Sequence, residues 1–347
     1  MGKKGNRQFG RSARKGGFFA AWRATLGLLG VATLMTAGFA AQGDGGLAEG
    51  KKAYEASEYA KAAQLLTEAA AAQPQNGDIE LLLTKTHLEL QQYDAAIKSG
   101  EKAVAINEKN SVYHEWLGHA YGEKADHSGF MSALGFAKKT RKEFVTAVEL
   151  DGKNLAARQS LVEYDCAAPA MAGGGEDKAQ PEISEIAKLD AAEGHYAAGN
   201  CHRQKKDFPG ADGEFNKALA GRLKSDERVF DIGDYAVRQR EAAMLTAVAE
   251  LGAKDAPGDP RAGFYRAVGL VVEKQDAAGA ERLLREYLKN APVRSGYPRP
   301  AMAHYWLGQL AEDGGNDKAA RAEYETAVKM DPKNKLAQEA LKKAKKG

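Results

Sequence analysis

Cysteine is almost absent: Cys166 and Cys201 are the only thiols in 347 residues, and nothing in the chain has the paired spacing of a zinc motif. Proline is sparse too, with ten, which leaves helices free to run. Runs of β-branched residues are scarce while Ala, Glu, Lys and Leu dominate, so the expectation starts from an all-helical chain. Acidic residues are missing from residues 1–41, which hold Lys3, Lys4, Arg7, Arg11, Arg14, Lys15 and Arg23. Without those seven cations the formal charge of +3 becomes −4 for the rest, and a mildly acidic body gives no electrostatic case for nucleic acid. Gly173-Gly174-Gly175 lacks the preceding strand and the following Lys-Ser/Thr of a phosphate loop.

The basic start is followed by an apolar, uncharged stretch at residues 24–37, and Gly38-Phe39-Ala40 supplies small residues at the two positions a signal peptidase reads. This is the layout of a secretory signal peptide over residues 1–41, with cleavage after Ala40 or Ala41. An uncleaved anchor is the other reading, because about 18 apolar residues can just span a bilayer. The first implies an exported, periplasmic protein, the second an inner-membrane anchor facing the same compartment.

What is abundant is a 34-residue repeat, clearest at residues 301–334. Numbered from Ala301, Leu307 and Gly308 take places seven and eight, Ala311 eleven, Ala320 twenty, Tyr324 twenty-four, Ala327 twenty-seven and Pro332 thirty-two. These are the small and large apolar positions of two helices joined by the breakers Gly314-Gly315-Asn316. The same ruler gives starts near residues 43, 77, 111, 155, 192, 226, 261 and 301. It meets Ala62, Leu66 and Ala69 in the first copy, Trp116-Leu117-Gly118 in the third, Gly199, Ala211 and Phe215 in the fifth, and Ala280 and Leu284 in the seventh.

This pattern resembles the tetratricopeptide repeat. The resemblance implies an all-α fold, a right-handed α-solenoid of about eight helix-turn-helix repeats. Repeats one to three would occupy 43–154 and repeats four to eight 155–334. The Lys-rich segment 335–347 would close the stack as a capping helix and tail. It implies a non-enzymatic interaction scaffold that takes a protein or peptide, rather than a cofactor, in a concave groove lined by the first helices.

Place five of the last four repeats is Tyr196, Phe230, Tyr265 and Tyr305, and place nine includes Asn200, Asp234 and Gln309. Steps of three and four residues put these on one stripe, so rings and amides together form an expected peptide-binding ladder. The alternative is that the rings pack against the neighbouring first helix and meet no ligand.

Two departures from the ruler fall in consecutive repeats, near 122–139 and at an expanded turn near 166–175. Stacking should bring them together on one edge. The first is expected to lengthen a second helix, with Ser128 as its N-cap and Phe130, Leu134 and Ala137 on one face. Phe130, Met131 and Leu134 either pack under Pro169 and Met171 or form an exposed docking patch.

Cys166 and Cys201 fall late on the first helices of adjacent repeats, so an oxidising compartment would allow a disulfide, with two free buried thiols as the alternative. His114 and His119 point apart, and no catalytic constellation is announced; no catalytic, metal or cofactor site is expected. The expectation is an envelope adaptor. An enzyme or metal protein using Glu163, Cys166, Cys201 and His202 at the insertion edge, and a self-assembling rod, are the rival readings.

Overall fold

The computed structural model describes residues 43–344, and the expected signal segment lies outside them. Seventeen α-helices, a short 3-10 turn at Ala170–Ala172 and no strands occur among the described residues, and the α-helices fall into eight antiparallel pairs and a closing helix. The pairs are α1 (Gly43–Glu55) with α2 (Tyr59–Ala72), α3 (Gly77–Glu89) with α4 (Tyr93–Ile106), α5 (Ser111–Asp126) with α6 (Phe130–Leu150), and α7 (Leu155–Ala167) with α8 (Glu176–Leu189). They continue as α9 (Ala191–Gln204) with α10 (Phe208–Ala220), α11 (Asp226–Gln239) with α12 (Ala242–Asp255), α13 (Pro260–Glu273) with α14 (Ala277–Asn290), and α15 (Pro300–Asp313) with α16 (Asp317–Met330). Helix α17 (Lys335–Ala344) packs on α15 and α16. None of these helices is long and apolar enough to cross a membrane.

Local chemistry sets the boundaries. Asn76, Asn110, Asn154, Asp190 and Asp259 each precede a first helix and accept a hydrogen bond from its first turn, satisfying an otherwise unpaired backbone N–H. Asn154 does more, since its amide also donates to Ser111 at 2.9 Å and Glu115 at 3.2 Å and ties the start of α7 to α5. Within repeats the turn uses a left-handed residue: Gly315 in the last copy, and Ser57, Gln91, Lys206, Arg240 and Lys274 in others.

Packing inside a repeat follows the expected places. Glycine at place eight faces the ring at place twenty-four, so that a β-carbon on Gly118 or Gly199 would come within 2.5 or 2.6 Å of Phe144 or Phe215. Ala62, Leu66, Ala96, Ala211, Ala280, Leu284, Ala320 and Tyr324 are all buried. The core is one continuous cluster from the fifth repeat to α17, and smaller clusters serve the first four repeats.

First helices touch first helices along the stack, with α9 and α11 joined through side chains such as Tyr196 and Asp231, whereas second helices almost never meet. The first helices therefore line the tighter, inner side of the curve. Curvature carries the loop at 291–299 back to the start, where an Arg294 guanidinium N–H donates to the Glu55 carbonyl at 3.4 Å across 239 residues. This loop is a third departure from the ruler, visible only as a 40-residue step between repeat starts.

Candidate functional site: the inner wall and the insertion edge

The place-five residues do stand on the inner wall, but as its floor. Tyr196, Phe230, Tyr265 and Tyr305 are at most 6% exposed, which corrects the expectation of a ladder of accessible rings. Each ring is taken up by a neighbour: Phe230 stacks on Tyr265 at 5.9 Å, Tyr196 lies 6.1 Å from Phe215, and Tyr305 lies 6.1 Å from Tyr324. The hydroxyls of Tyr196 and Tyr265 also face protein. Tyr196 donates to Asp231 at 2.9 Å, and Tyr265 to Asp234 at 2.9 Å and to the Phe230 carbonyl at 3.0 Å.

Above the rings runs a layer of charged and amide groups that crosses from repeat to repeat. Asn200, itself fully buried, donates to Glu163 at 3.3 Å. Gln159 donates to the Glu193 carbonyl at 2.9 Å, Arg228 pairs with Glu193, and Arg203 spans both oxygens of Asp231 at 3.1 Å. Arg261 is held by Glu227 at 2.6 and 2.9 Å and by Asp259 at 2.8 Å, with its guanidinium 4.0 Å from the Phe230 ring centroid. Burial pushes Glu163 up to about 7, with Asp231 acting in the same direction and Arg203 and Arg228 against it. Asp234 is pushed up to about 6, again by burial, while the Tyr265 hydroxyl works against the shift.

The wall opens at its C-terminal end. A hollow of about 350 Å³ lies between α11, α15 and α17, lined among others by Arg240, Tyr305, Gln309, Glu312, Glu339 and Lys343. Its size is within the range of pockets that hold ligands, about 300–1,000 Å³. Arg240 sits just past the end of α11, 5.0 Å over the Trp306 ring, and donates to Gln309 at 3.4 Å. Of the expected ladder residues, Tyr305 and Gln309 line this hollow; Asn200 and Asp234 belong to the polar layer on the wall.

The two insertions do meet on one edge. Ser128 is not the N-cap of α6: its hydroxyl donates back to the Lys124 carbonyl at 2.7 Å and closes α5, and Gly129 precedes α6. The insertion thus lengthens both helices of the third repeat. Ala137 is buried and Leu134 half-buried, but Phe130 and Met131 are exposed. The facing loop is pinned: Arg141 forks onto Asp165 at 2.7 and 3.0 Å, the Gly175 N–H donates to the Asp165 carbonyl at 2.8 Å, and Tyr164 donates to the Ala172 carbonyl at 2.7 Å.

Cys166 and Cys201 form a disulfide between α7 and α9, with Cα atoms 5.3 Å apart, so neither thiol is available as a nucleophile. Glu163 faces Asn200, and His202 lies 2.7 Å from Asp207 on the surface. Among the described residues, no three His, Cys, Asp or Glu side chains are gathered as metal ligands. The histidines carry a signal that the sequence reading passed over. His114, His195 and His304 all stand at place four of a first helix, and each lies 2.6 to 2.7 Å from a carboxylate on its repeat's second helix, Glu143, Glu214 and Glu323. The last two carboxylates stand at place twenty-three and Glu143 ten residues later, as its insertion requires.

Comparison with known proteins agrees with this geometry. The tetratricopeptide-repeat family model matches residues 53–117 and 265–335. Among solved structures, yeast Tom70 superposes with a TM-score of 0.59 at 15% identity, over 96% of this chain and 68% of that one. A thermophilic repeat protein of Thermus thermophilus aligns over 58% of this chain and 98% of its own, with 19% identity and a TM-score of 0.46. One from Parabacteroides merdae covers 88% and 99%, with 12% identity and a TM-score of 0.44. No curated protein matches the sequence. With two family matches set on helix pairs that stack in register from end to end, the chain belongs to the tetratricopeptide-repeat family, a class of protein–protein interaction scaffolds.

Proposed function

We propose that this protein is a non-enzymatic adaptor of the cell envelope that holds a peptide or protein segment against its inner wall, anchored at the C-terminal hollow. The observation that carries this reading is the hollow itself. It is built on the first helix α15 and the closing helix α17 beside the end of α11, it offers cations from Arg240 and Lys343 beside the carboxylates of Glu312 and Glu339, and the Gln309 amide lies within it. Such a mixture suits the backbone and side chains of a bound segment better than a uniformly charged ligand.

Export is supported by two features: the leader-like residues 1–41 and the disulfide of Cys166 and Cys201, a bond that persists in oxidising compartments. Mass measurement of the chain recovered from an envelope fraction tests this, since a mass retaining residues 1–41 in the cytosol would overturn it. The groove is tested by placing a photo-crosslinking amino acid at Gln309 and, as a control, at Lys289, an exposed position on the outer helix α14. Adducts at 309 and none at 289 are expected in cells; equal labelling, or none at 309, would refute binding at the hollow.

A further inference from the structure

Away from the inner wall, the insertion edge carries a surface that the groove does not use. Phe130 and Met131, the first residues of α6, are 70% and 78% exposed, and Met171 in the facing loop is 57% exposed. Between them lies a mainly apolar hollow of about 130 Å³, walled by Ala133, Leu134, Ala137, Pro169 and Met171, with Asp126 its one charged lining residue. Small-molecule pockets run to about 300–1,000 Å³, so this one has the size for a single apolar side chain.

Met171 and Ala172 also wall a second, more open hollow of about 610 Å³, whose other side carries Lys138, Arg141 and Lys142 against a single carboxylate, Glu149. The two hollows are therefore contiguous. Residues 130–142 hold four cations and no acid, within a body of net charge −4. Arg141 is committed to Asp165, and Lys139 lies 4.8 Å over the Tyr121 ring. Lys138 and Lys142 are exposed one helical turn apart, on the same stripe as Leu134. The pinned loop leaves the apolar hollow already shaped, so a partner need not order it on binding.

We propose that this edge docks an acidic segment of a partner protein, one apolar side chain entering the hollow between Phe130 and Met171 and adjacent carboxylates lying over Lys138 and Lys142. The chain's own ends are excluded as occupants by charge: residues 1–41 hold seven cations and no acid, and residues 335–347 five lysines and one glutamate. A bilayer would meet the projecting Phe130 and Met131 but leave the hollow behind them unfilled. An apolar side chain fills it.

Random peptides displayed on phage and selected on the full chain test the proposal, followed by fluorescence anisotropy of the selected sequences. Enrichment of Asp or Glu beside Leu, Met or Phe is expected. Phe130→Asp and Met171→Asp should each weaken binding about tenfold or more, as loss of a buried anchor does. Lys138→Glu combined with Lys142→Glu, both at exposed positions, should turn the preference toward basic peptides with an unchanged melting temperature. Selection of no acidic-apolar class, or equal binding by the variants, would overturn the proposal. So would sedimentation with phosphatidylserine vesicles that Phe130→Asp abolishes, which would assign the edge to a bilayer, or a dimer that the same variant dissociates, which would assign it to a second copy.

Discussion

Tyr265 rests its ring against Gly233, on the first helix of the preceding repeat, where a β-carbon would come 2.7 Å from the ring. The hydroxyl at that same end of the ring is held by hydrogen bonds to Asp234 and to the Phe230 carbonyl, so the ring is anchored where the β-carbon would press. Gly233→Ala should therefore destabilise the protein by about 1–3 kcal/mol through overpacking. Tyr265→Ala, which empties the seat, should cost about 3–5 kcal/mol. Calorimetric melting of the two variants checks both, and a Gly233→Ala variant that melts with the wild type would show that the ring is not fixed.

That contact also marks how far the sequence was legible. Repeat starts came out within a residue of the helices because they depend on chemistry inside each repeat: Gly199 against Phe215, Gly308 against Tyr324, Asn110 capping α5. Whether Tyr265 faces a ligand or a neighbour depends on Gly233, thirty-two residues away in the adjacent copy, and periodicity weighs both outcomes equally. Ser128 went wrong because serine hydroxyls serve a helix start and the carbonyl of the preceding turn equally well, and here the second won. The His and Glu pairs were readable as places four and twenty-three. The contact of Arg294 with Glu55 was not, since it arises from the accumulated curvature of the stack.

Stability should fall as pH rises from about 4 to about 7. Glu163 titrates near 7 in the fold, above an unfolded carboxyl of about 4.3, so the folded chain binds the extra proton in that interval. Its contribution is complete below about pH 4 and is lost as pH passes 7; Asp234, raised to about 6, acts in the same sense. The displacement of Glu163 corresponds to roughly 4 kcal/mol. Urea unfolding of wild type and Glu163→Gln between pH 5 and 8 measures it, since the amide keeps the acceptor for Asn200 but does not titrate. The variant should lose less stability over this range and be the more stable of the two at pH 8.

Reducing the disulfide should lower the melting temperature without dispersing the repeats. Cys166 and Cys201 are separated by 35 residues, and closing a loop of that length stabilises by about 3–4 kcal/mol in the chain-entropy account. The bond joins α7 to α9 within the small cluster of Val162, Ile183, Ile186 and Ala197, which keeps its own apolar contacts after reduction. Circular dichroism with and without dithiothreitol should thus show equal helix content at about 20 °C, well below the usual melting range of such domains, and a lower midpoint for the reduced chain.

Arg261 should be the most sensitive charged position in the C-terminal half. Its side chain is 3% exposed and joins three elements: Glu227 on α11, Asp259 at the start of α13, and the Gly296 carbonyl of the 291–299 loop at 3.1 Å. The guanidinium is also sandwiched between Phe230 and Tyr297, at 4.0 and 4.3 Å from their centroids. Arg261→Met keeps the apolar stem but strands two carboxylates, a loss of about 3–5 kcal/mol. Arg261→Lys keeps the charge without the fork or the stacking, and should fall between wild type and Arg261→Met. Adding Glu227→Gln to Arg261→Met removes one stranded charge and should restore part of the stability, a non-additivity expected only of residues in contact. The same loop carries Arg294, so its cleavage by trypsin should quicken in Arg261→Met and slow again in the double variant. Unchanged cleavage in both would mean that Arg261 does not hold the loop.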